Sequence, residues 1–190
     1  MAKRRLTAGE TALAKTVFGD SVDYTAVWLH DKRILPPGFQ RKEQAVANAN
    51  HISFPRGAYS ADFSADTDAK KQSVFIHEMT HVWQHQNKVM RIPVAAIKET
   101  LKHKFNYQKC YLHRLDTAKD LTQYGFEQQA AIVQDYFLLT RHAMPESYKA
   151  RRTETPADLL QKYEAVLKNF LNDPGYARRG NRRKPAAPKP

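Results

Sequence analysis

The chain has 190 residues, which is enough for one domain with or without a tail and argues against two full domains. Lys and Arg number 31 against 19 Asp and Glu, so the formal net charge is +12, yet 42% of the residues are apolar and 11% are aromatic. That composition argues against a disordered polycation and predicts a folded core. The single cysteine, Cys110, excludes an internal disulfide and a four-thiolate zinc site.

No segment approaches the length of about 20 consecutive apolar residues that a transmembrane helix needs, so we expect no membrane insertion. The basic residues near the N-terminus are not followed by the apolar segment of a cleaved secretory signal. We therefore expect the chain to be cytoplasmic on synthesis and, if it is secreted, to leave by a route that needs no signal peptide.

The first predicted elements are one helix and two short strands. Thr7 and Glu10 have the spacing of a capping box, and the apolar residues after them recur on one helical face, which predicts a helix over 8–18. Residues 24–30 and 50–54 favour extended structure, and a proline-containing break follows each of them. They are predicted to form two short strands.

Further helices are predicted over 69–87, 94–104, 122–141 and 156–171. The first of these carries one polar stripe, although apolar residues cover most of its remaining surface and indicate a buried helix. The predicted fold class is therefore α+β and mainly α-helical.

The composition changes after Asn172. Residues 176–190 contain six Lys or Arg and no acidic residue, so they supply half of the net charge and lack the apolar content to pack. We predict one domain over 1–172 and a disordered, basic, Pro-rich tail over 173–190.

The polar stripe of the 69–87 helix contains an HExxH motif, formed by His77, Glu78 and His81. Two histidines at i and i+4 project from one helical face, where both imidazoles can bind the same Zn²⁺ ion. The glutamate between them then stands beside the metal and can take a proton from a metal-activated water. The motif predicts a zinc site with Glu78 as the catalytic base.

A catalytic zinc usually takes a third protein ligand. His85 continues the helical series, but three successive turns span about 12 Å, so it is expected in the second shell or at the surface. Glu127 begins another predicted helix and is the strongest candidate, while His113 and Asp116 are weaker ones. Asp135 is a candidate for orienting a ligand histidine through its free ring nitrogen.

Hydrolysis also needs a hydrogen-bond donor to the developing oxyanion. The sequence offers four candidates and does not choose among them: Tyr107, Tyr124, His113 and Arg141.

Several segments together resemble one known family. They are LTAGE at 6–10, VFGD at 17–20, FIHEMTHVWQH at 75–85 and YGFEQQA at 124–130. Their combination is similar to the Vgr-related zinc metallopeptidases, small bacterial proteins associated with type VI secretion. The resemblance implies His77, His81 and Glu127 as zinc ligands and Glu78 as the base.

The resemblance also implies a zincin-like fold, in which the active-site helix packs on a small β-sheet with an exposed edge strand. In zincins that strand binds the substrate backbone, and Asn48 to Phe54 is the segment that resembles it. The resemblance implies a protein or peptide substrate and type VI secretion components as partners. Cleavage of amide bonds in cell-wall peptide would use the same metal chemistry, and the sequence does not separate the two substrates.

Two other functions remain open from the sequence. The same fold can act without catalysis, as a zinc-binding adaptor or cargo module of a secretion system. The basic tail can bind nucleic acid or another anionic surface weakly through counterion release. Together with the motif, the tail raises the alternative of a SprT-type protease that acts on DNA-bound proteins, although no His-Gly segment follows the motif to supply that family's third ligand.

Overall fold

The computed structural model describes residues 3–32, 45–55, 57–89, 114–142 and 155–180. The helices are α1 (Ala8–Phe18), α2 (Ala69–Gln86), α3 (Phe126–His142), α4 (Pro156–Asn172) and the short α5 (Tyr176–Gly180). The strands are β1 (Lys3–Arg5), β2 (Trp28–His30), β3 (Val46–Asn48) and β4 (His51–Ser53). The helix predicted over 94–104, with Cys110 and His113, lies outside the described residues.

The four strands form one small sheet in the order β1-β2-β4-β3. β2 runs antiparallel to β1 and parallel to β4, and β3 closes a hairpin against β4. The inward residues Leu29 and Ile52 are completely buried, so one face of the sheet covers the helices. This mixed and mainly helical arrangement confirms the predicted α+β class.

Local capping explains why three helices begin where the sequence predicts. Thr7 accepts from the backbone N–H of Glu10, whose side chain accepts in return from the N–H of Thr7, so the capping box of α1 is complete. Asp68 caps α2. Pro156 occupies the first turn of α4, where its missing N–H costs no helical hydrogen bond.

Two predicted elements differ in their boundaries. Only the second half of the strand predicted over 24–30 is extended, because Asp23 accepts from the backbone N–H of Thr25 and caps a 3₁₀ turn, Tyr24–Ala26. The helix predicted from residue 122 begins at Phe126. Before it, Asp120 and Gln123 form a second capping box that closes a separate 3₁₀ turn.

The edge strand beside α2 is β3 and not the segment 48–54, and β1 forms the opposite edge of the sheet. That segment contains the hairpin turn and β4, which lies between β2 and β3. The turn is Ala49-Asn50, with Ala49 in the left-handed region at φ 53°. No glycine signals this turn, and Ala47 and Asn48 of β3 have weak strand propensity, which explains why the sequence pattern missed it.

Aromatic side chains join the helices and the loop before α2. Trp83 of α2 meets Phe170 of α4 edge to face, with ring centroids 5.1 Å apart, and Phe170 makes a similar contact with Phe18 of α1. Phe63 stacks on Phe75, with centroids 5.3 Å apart. α2 therefore lies at the centre of the described fold. None of the helices in the described ranges combines the length and apolarity that crossing a bilayer requires.

The chain stays on the domain beyond Asn172, where the sequence predicts the tail to begin. The indole Nε1 of Trp83 donates to the carbonyl of Pro174 at 2.8 Å, and the hydroxyl of Tyr176 donates to Asp120 at 2.7 Å. Ala177 is buried. These contacts hold the start of the predicted tail against the domain, and α5 contacts α4. The basic residues from 181 onward lie outside the described ranges.

Candidate metal centre

α2 holds the HExxH motif inside the protein. His77, Glu78 and His81 lie in its middle turns and are only 5%, 5% and 8% exposed. The two imidazole rings meet edge to face, with centroids 5.0 Å apart. Because the residues are one helical turn apart, both rings leave the same side of α2.

Glu127 lies in the first turn of α3 and faces this side of α2. Its Oε2 atom lies 3.4 Å from Nε2 of His77 and 3.4 Å from Nε2 of His81. The Glu127 side chain is 29% exposed, whereas both histidine side chains are almost completely buried. The three predicted metal ligands therefore converge, and the carboxylate forms the open side of the group.

The spacing of these atoms fits a metal ion. A tetrahedral zinc with bonds of about 2.0–2.1 Å separates its ligand atoms by about 3.3–3.4 Å. Both nitrogen–oxygen separations match this value, and all three ligand atoms lie within 4.8 Å of one another. Two imidazoles and one carboxylate are also a donor set that zinc enzymes use, with a fourth position left for water. The group can thus hold an ion with little rearrangement.

Charge and burial oppose each other at these residues. Burial disfavours the charged forms of His81 and Glu127, but their mutual attraction outweighs it. The pKa of His81 is raised to about 9, and the pKa of Glu127 lies well below its usual value. The carboxylate of Glu127 and the imidazole of His81 therefore favour each other's charged forms.

Glu78 has a different environment from Glu127. Burial raises the pKa of its carboxyl group, against the attraction of the neighbouring histidines. The backbone of Ala47 in β3 hydrogen-bonds to this carboxylate, which links the motif to the edge strand. Among the described residues, the other oxygen, Oε2, has no hydrogen-bond partner although it is buried. An orphaned carboxylate oxygen at this position marks a place for a polar ligand.

Two glutamines contact the histidines at Nδ1, the ring nitrogen that does not face Glu127. Oε1 of Gln134 lies 2.9 Å from Nδ1 of His77, and Oε1 of Gln84 lies 2.8 Å from Nδ1 of His81. The predicted site did not include either residue. The available signal was their position, since Gln84 shares the polar stripe of the motif and Gln134 shares a helical face with Glu127.

The remaining predicted site residues are not brought to the ligand atoms by the contacts of the described chain. Asp135 accepts from the hydroxyl of Tyr163 at 2.9 Å, and its neighbour Gln134 faces His77 instead. The hydroxyl of Tyr124 bonds to the backbone of Asp116. His85 is exposed near the end of α2. His113 and Tyr107 lie outside the described residues, and Arg141 is exposed beside Phe137.

No protein-family model matches the chain. It is 40% identical over 172 residues to the type VI secretion system spike protein VgrG2b of Pseudomonas aeruginosa, a match that covers 89% of this chain and 15% of that protein. The solved structure of the effector domain of Pseudomonas aeruginosa VgrG2b superimposes with a TM-score of 0.64 at 34% identity, covering 89% of this chain and 82% of the other.

Proposed function

Since the chain belongs to the family of the VgrG2b effector domain, we propose that it is a zinc-dependent hydrolase of type VI secretion that cleaves peptide or amide bonds. The chain spans 15% of the length of the spike protein that it matches, so its place in a secretion apparatus is part of the proposal. The proposed catalytic unit is a zincin-like domain. The relation to a type VI secretion protein fits delivery by a route that needs no signal peptide.

The observation that carries the proposal is the convergence of three ligand atoms beside a buried carboxylate with an orphaned oxygen. His77, His81 and Glu127 would hold the zinc, at separations that suit tetrahedral coordination. A zinc ion there would act as a Lewis acid on the scissile carbonyl and lower the pKa of a water molecule. Two imidazoles and one carboxylate leave a position free for that water.

Glu78 is the proposed general base. Its Oε2 atom is free to accept a hydrogen bond from a water molecule, while the Ala47 backbone keeps the carboxylate in place. Glu78 would take one proton from the water as the water oxygen bonds to the carbonyl carbon. It would then pass this proton to the amide nitrogen as the carbon–nitrogen bond breaks, which leaves a carboxylic acid and an amine. A buried carboxyl with a raised pKa suits both transfers.

We further propose that the substrate backbone aligns along β3. Ala47 pairs with Ile52, one position beyond the pair that flanks the two-residue turn. At such a position the backbone N–H and carbonyl point away from the partner strand. The N–H is used by Glu78, and the carbonyl is available to an extended peptide added at this edge. Proteins and cell-wall peptides both offer amide bonds in extended chains.

The decisive experiment compares the parent protein with Glu78→Gln, which keeps the size of the side chain and removes the base. We expect both proteins to contain one equivalent of zinc by elemental analysis, and the variant to cleave peptides or cell-wall fragments about 10²–10⁴ times more slowly. Glu164→Gln, an exposed change on α4, serves as the matched control and should behave as the parent.

The possible results separate the alternatives. Equal cleavage by the parent and Glu78→Gln would contradict the proposed base. Zinc in the parent with no cleavage of any substrate in the screen would favour the adaptor or cargo function. A parent that contains no zinc and takes up none would refute the metal site.

A further inference from the structure

We infer that Gln84 and Gln134 are positioning residues of the metal centre, which hold both histidines in the tautomer that presents Nε2 to the ion. The inference rests on the metal site of the proposed function. Each amide oxygen lies within hydrogen-bond distance of one Nδ1 atom, 2.8 Å for Gln84 with His81 and 2.9 Å for Gln134 with His77. The end of each amide that faces the ring determines which ring nitrogen carries the proton.

The orientation of Gln84 is fixed by two acceptors. Its Nε2 atom donates to the carbonyl of Phe126 at 2.9 Å and to Oε1 of Gln129 at 2.9 Å. Gln129 is oriented in turn, because its own Nε2 donates to the carbonyl of Tyr124 at 2.8 Å. Backbone carbonyls can only accept, so the amide nitrogen of Gln84 must face them and its oxygen must face His81.

A second chain of hydrogen bonds orients Gln134. The hydroxyl of Ser73 donates to the carbonyl of Lys70 at 2.9 Å. This bond uses the only proton of the Ser73 hydroxyl. Ser73 therefore accepts from Nε2 of Gln134, at 3.1 Å. The amide oxygen of Gln134 is left to face His77.

The two chains determine the protonation of the rings. An amide oxygen only accepts, so Nδ1 of both His77 and His81 must carry a proton. In a neutral imidazole the other nitrogen, Nε2, then has a free lone pair. Both Nε2 atoms face Glu127. The tautomer that the two glutamines fix at Nδ1 is therefore the one in which Nε2 can bind a metal ion.

The use of amides also affects the charge of the site. A carboxylate behind a ligand histidine raises the basicity of the ring, whereas an amide fixes the ring without adding negative charge. Phe126 supports the same arrangement, since it stacks on the ring of His81 with centroids 4.3 Å apart. His81 is thus held by a hydrogen bond at its edge and by an aromatic ring against its face.

The test measures zinc affinity by competition with a chromophoric chelator. Gln84→Leu and Gln134→Leu remove the acceptors, and each is expected to weaken zinc binding about 10–100-fold. Gln86→Leu is the matched control, because Gln86 also makes side-chain hydrogen bonds from α2, but to Asp23 and Asn50. It should bind zinc as the parent does. Gln134→Glu keeps an acceptor and should bind zinc at least as tightly as the parent.

A spectroscopic measurement shows whether the residues act through the rings. Long-range ¹H–¹⁵N correlation spectra of the zinc-loaded parent should show His77 and His81 protonated at Nδ1. Coordination through Nδ1, or Leu variants that bind zinc as tightly as Gln86→Leu, would overturn the inference and leave the proposed function standing. A parent that binds no zinc overturns both. If a Leu variant does not fold, the spectra of the parent and the affinity of Gln134→Glu decide.

Discussion

Arg4 and Glu10 form a paired contact in which Nη1 lies 2.7 Å from Oε2 and Nη2 lies 2.8 Å from Oε1. Glu10 is completely buried, and it also accepts from the backbone N–H groups of Thr7 and Phe63. Arg4 reaches further, to the hydroxyl of Tyr59 at 2.9 Å. One ion pair thus connects β1 and α1 with the loop that leads to α2.

Arg4→Met should destabilise the protein by about 3 kcal/mol, because it leaves the Glu10 carboxylate buried without its cation. Urea unfolding of the metal-free protein measures the difference. Lys15→Met breaks an exposed pair with Asp20 and should cost less than about 1 kcal/mol. Equal losses in the two variants would show that the burial of Glu10 is not what matters.

Truncation tests how far the domain extends. A chain that ends at residue 172 loses the contact of Trp83 with Pro174 and that of Tyr176 with Asp120, and we expect it to be less stable by about 2–3 kcal/mol. A chain that ends at residue 180 keeps both contacts. In thermal unfolding, this second chain should therefore have the same melting temperature as the parent. A similar loss of stability in both truncated chains would contradict the role of the two contacts.

Asp120 should make stability depend on pH. Burial disfavours its ionised form, but hydrogen bonds from Thr122, Tyr176 and Asn169 outweigh burial and lower its pKa. Since the folded protein then binds fewer protons than the unfolded chain, this stabilisation is complete above the unfolded pKa and is lost as the pH falls through the folded pKa.

Asp120→Asn should consequently cost about 1 kcal/mol at neutral pH, and the difference from the parent should shrink as the pH falls from about 5. Melting temperatures measured across this range provide the test. Asp20→Asn, at an exposed position, is the control. A difference that grows on acidification would have the wrong sign and would reject this explanation.

Glu127→Gln should reduce the stabilisation that zinc provides. An ion that binds only the folded state stabilises it by about 2.7 kcal/mol at a concentration of 100 times its Kd. Replacing the carboxylate with an amide removes the anionic ligand, so most of this gain should disappear at the same zinc concentration. Differential scanning fluorimetry with and without zinc measures it, with Glu164→Gln as the control. An unchanged shift would exclude Glu127 as a ligand.

Local sequence rules predicted the helices that begin at strong caps. The capping box of Thr7 and Glu10 starts α1, and Pro156 starts α4. Both act on residues next to them in the chain, so these helix starts can be recognised from the sequence. The i, i+4 spacing of His77 and His81 likewise follows from one helix. The structure places Glu127 beside them from a second helix.

The hydrogen bonds behind the histidines could not be predicted in the same way. Gln84 and Gln134 are ordinary helix residues, and their orientation depends on partners that lie up to 61 positions away along the chain. Asp135 was the better candidate by chemistry, because carboxylates commonly support ligand histidines. The rotation of α3 around its axis decides between these neighbours, and no local pattern reports that rotation.

Glu127 and the two histidines come from helices that are far apart in the sequence. A metal ion held by them would join α2 to α3 and close a loop of about 46 residues between His81 and Glu127. A permanent cross-link over such a loop restricts the unfolded chain by an amount worth about 4 kcal/mol. The ion would then supply a cross-link that a chain with a single cysteine cannot form as an internal disulfide. The supply of metal would then determine both the stability of the fold and the activity of the site.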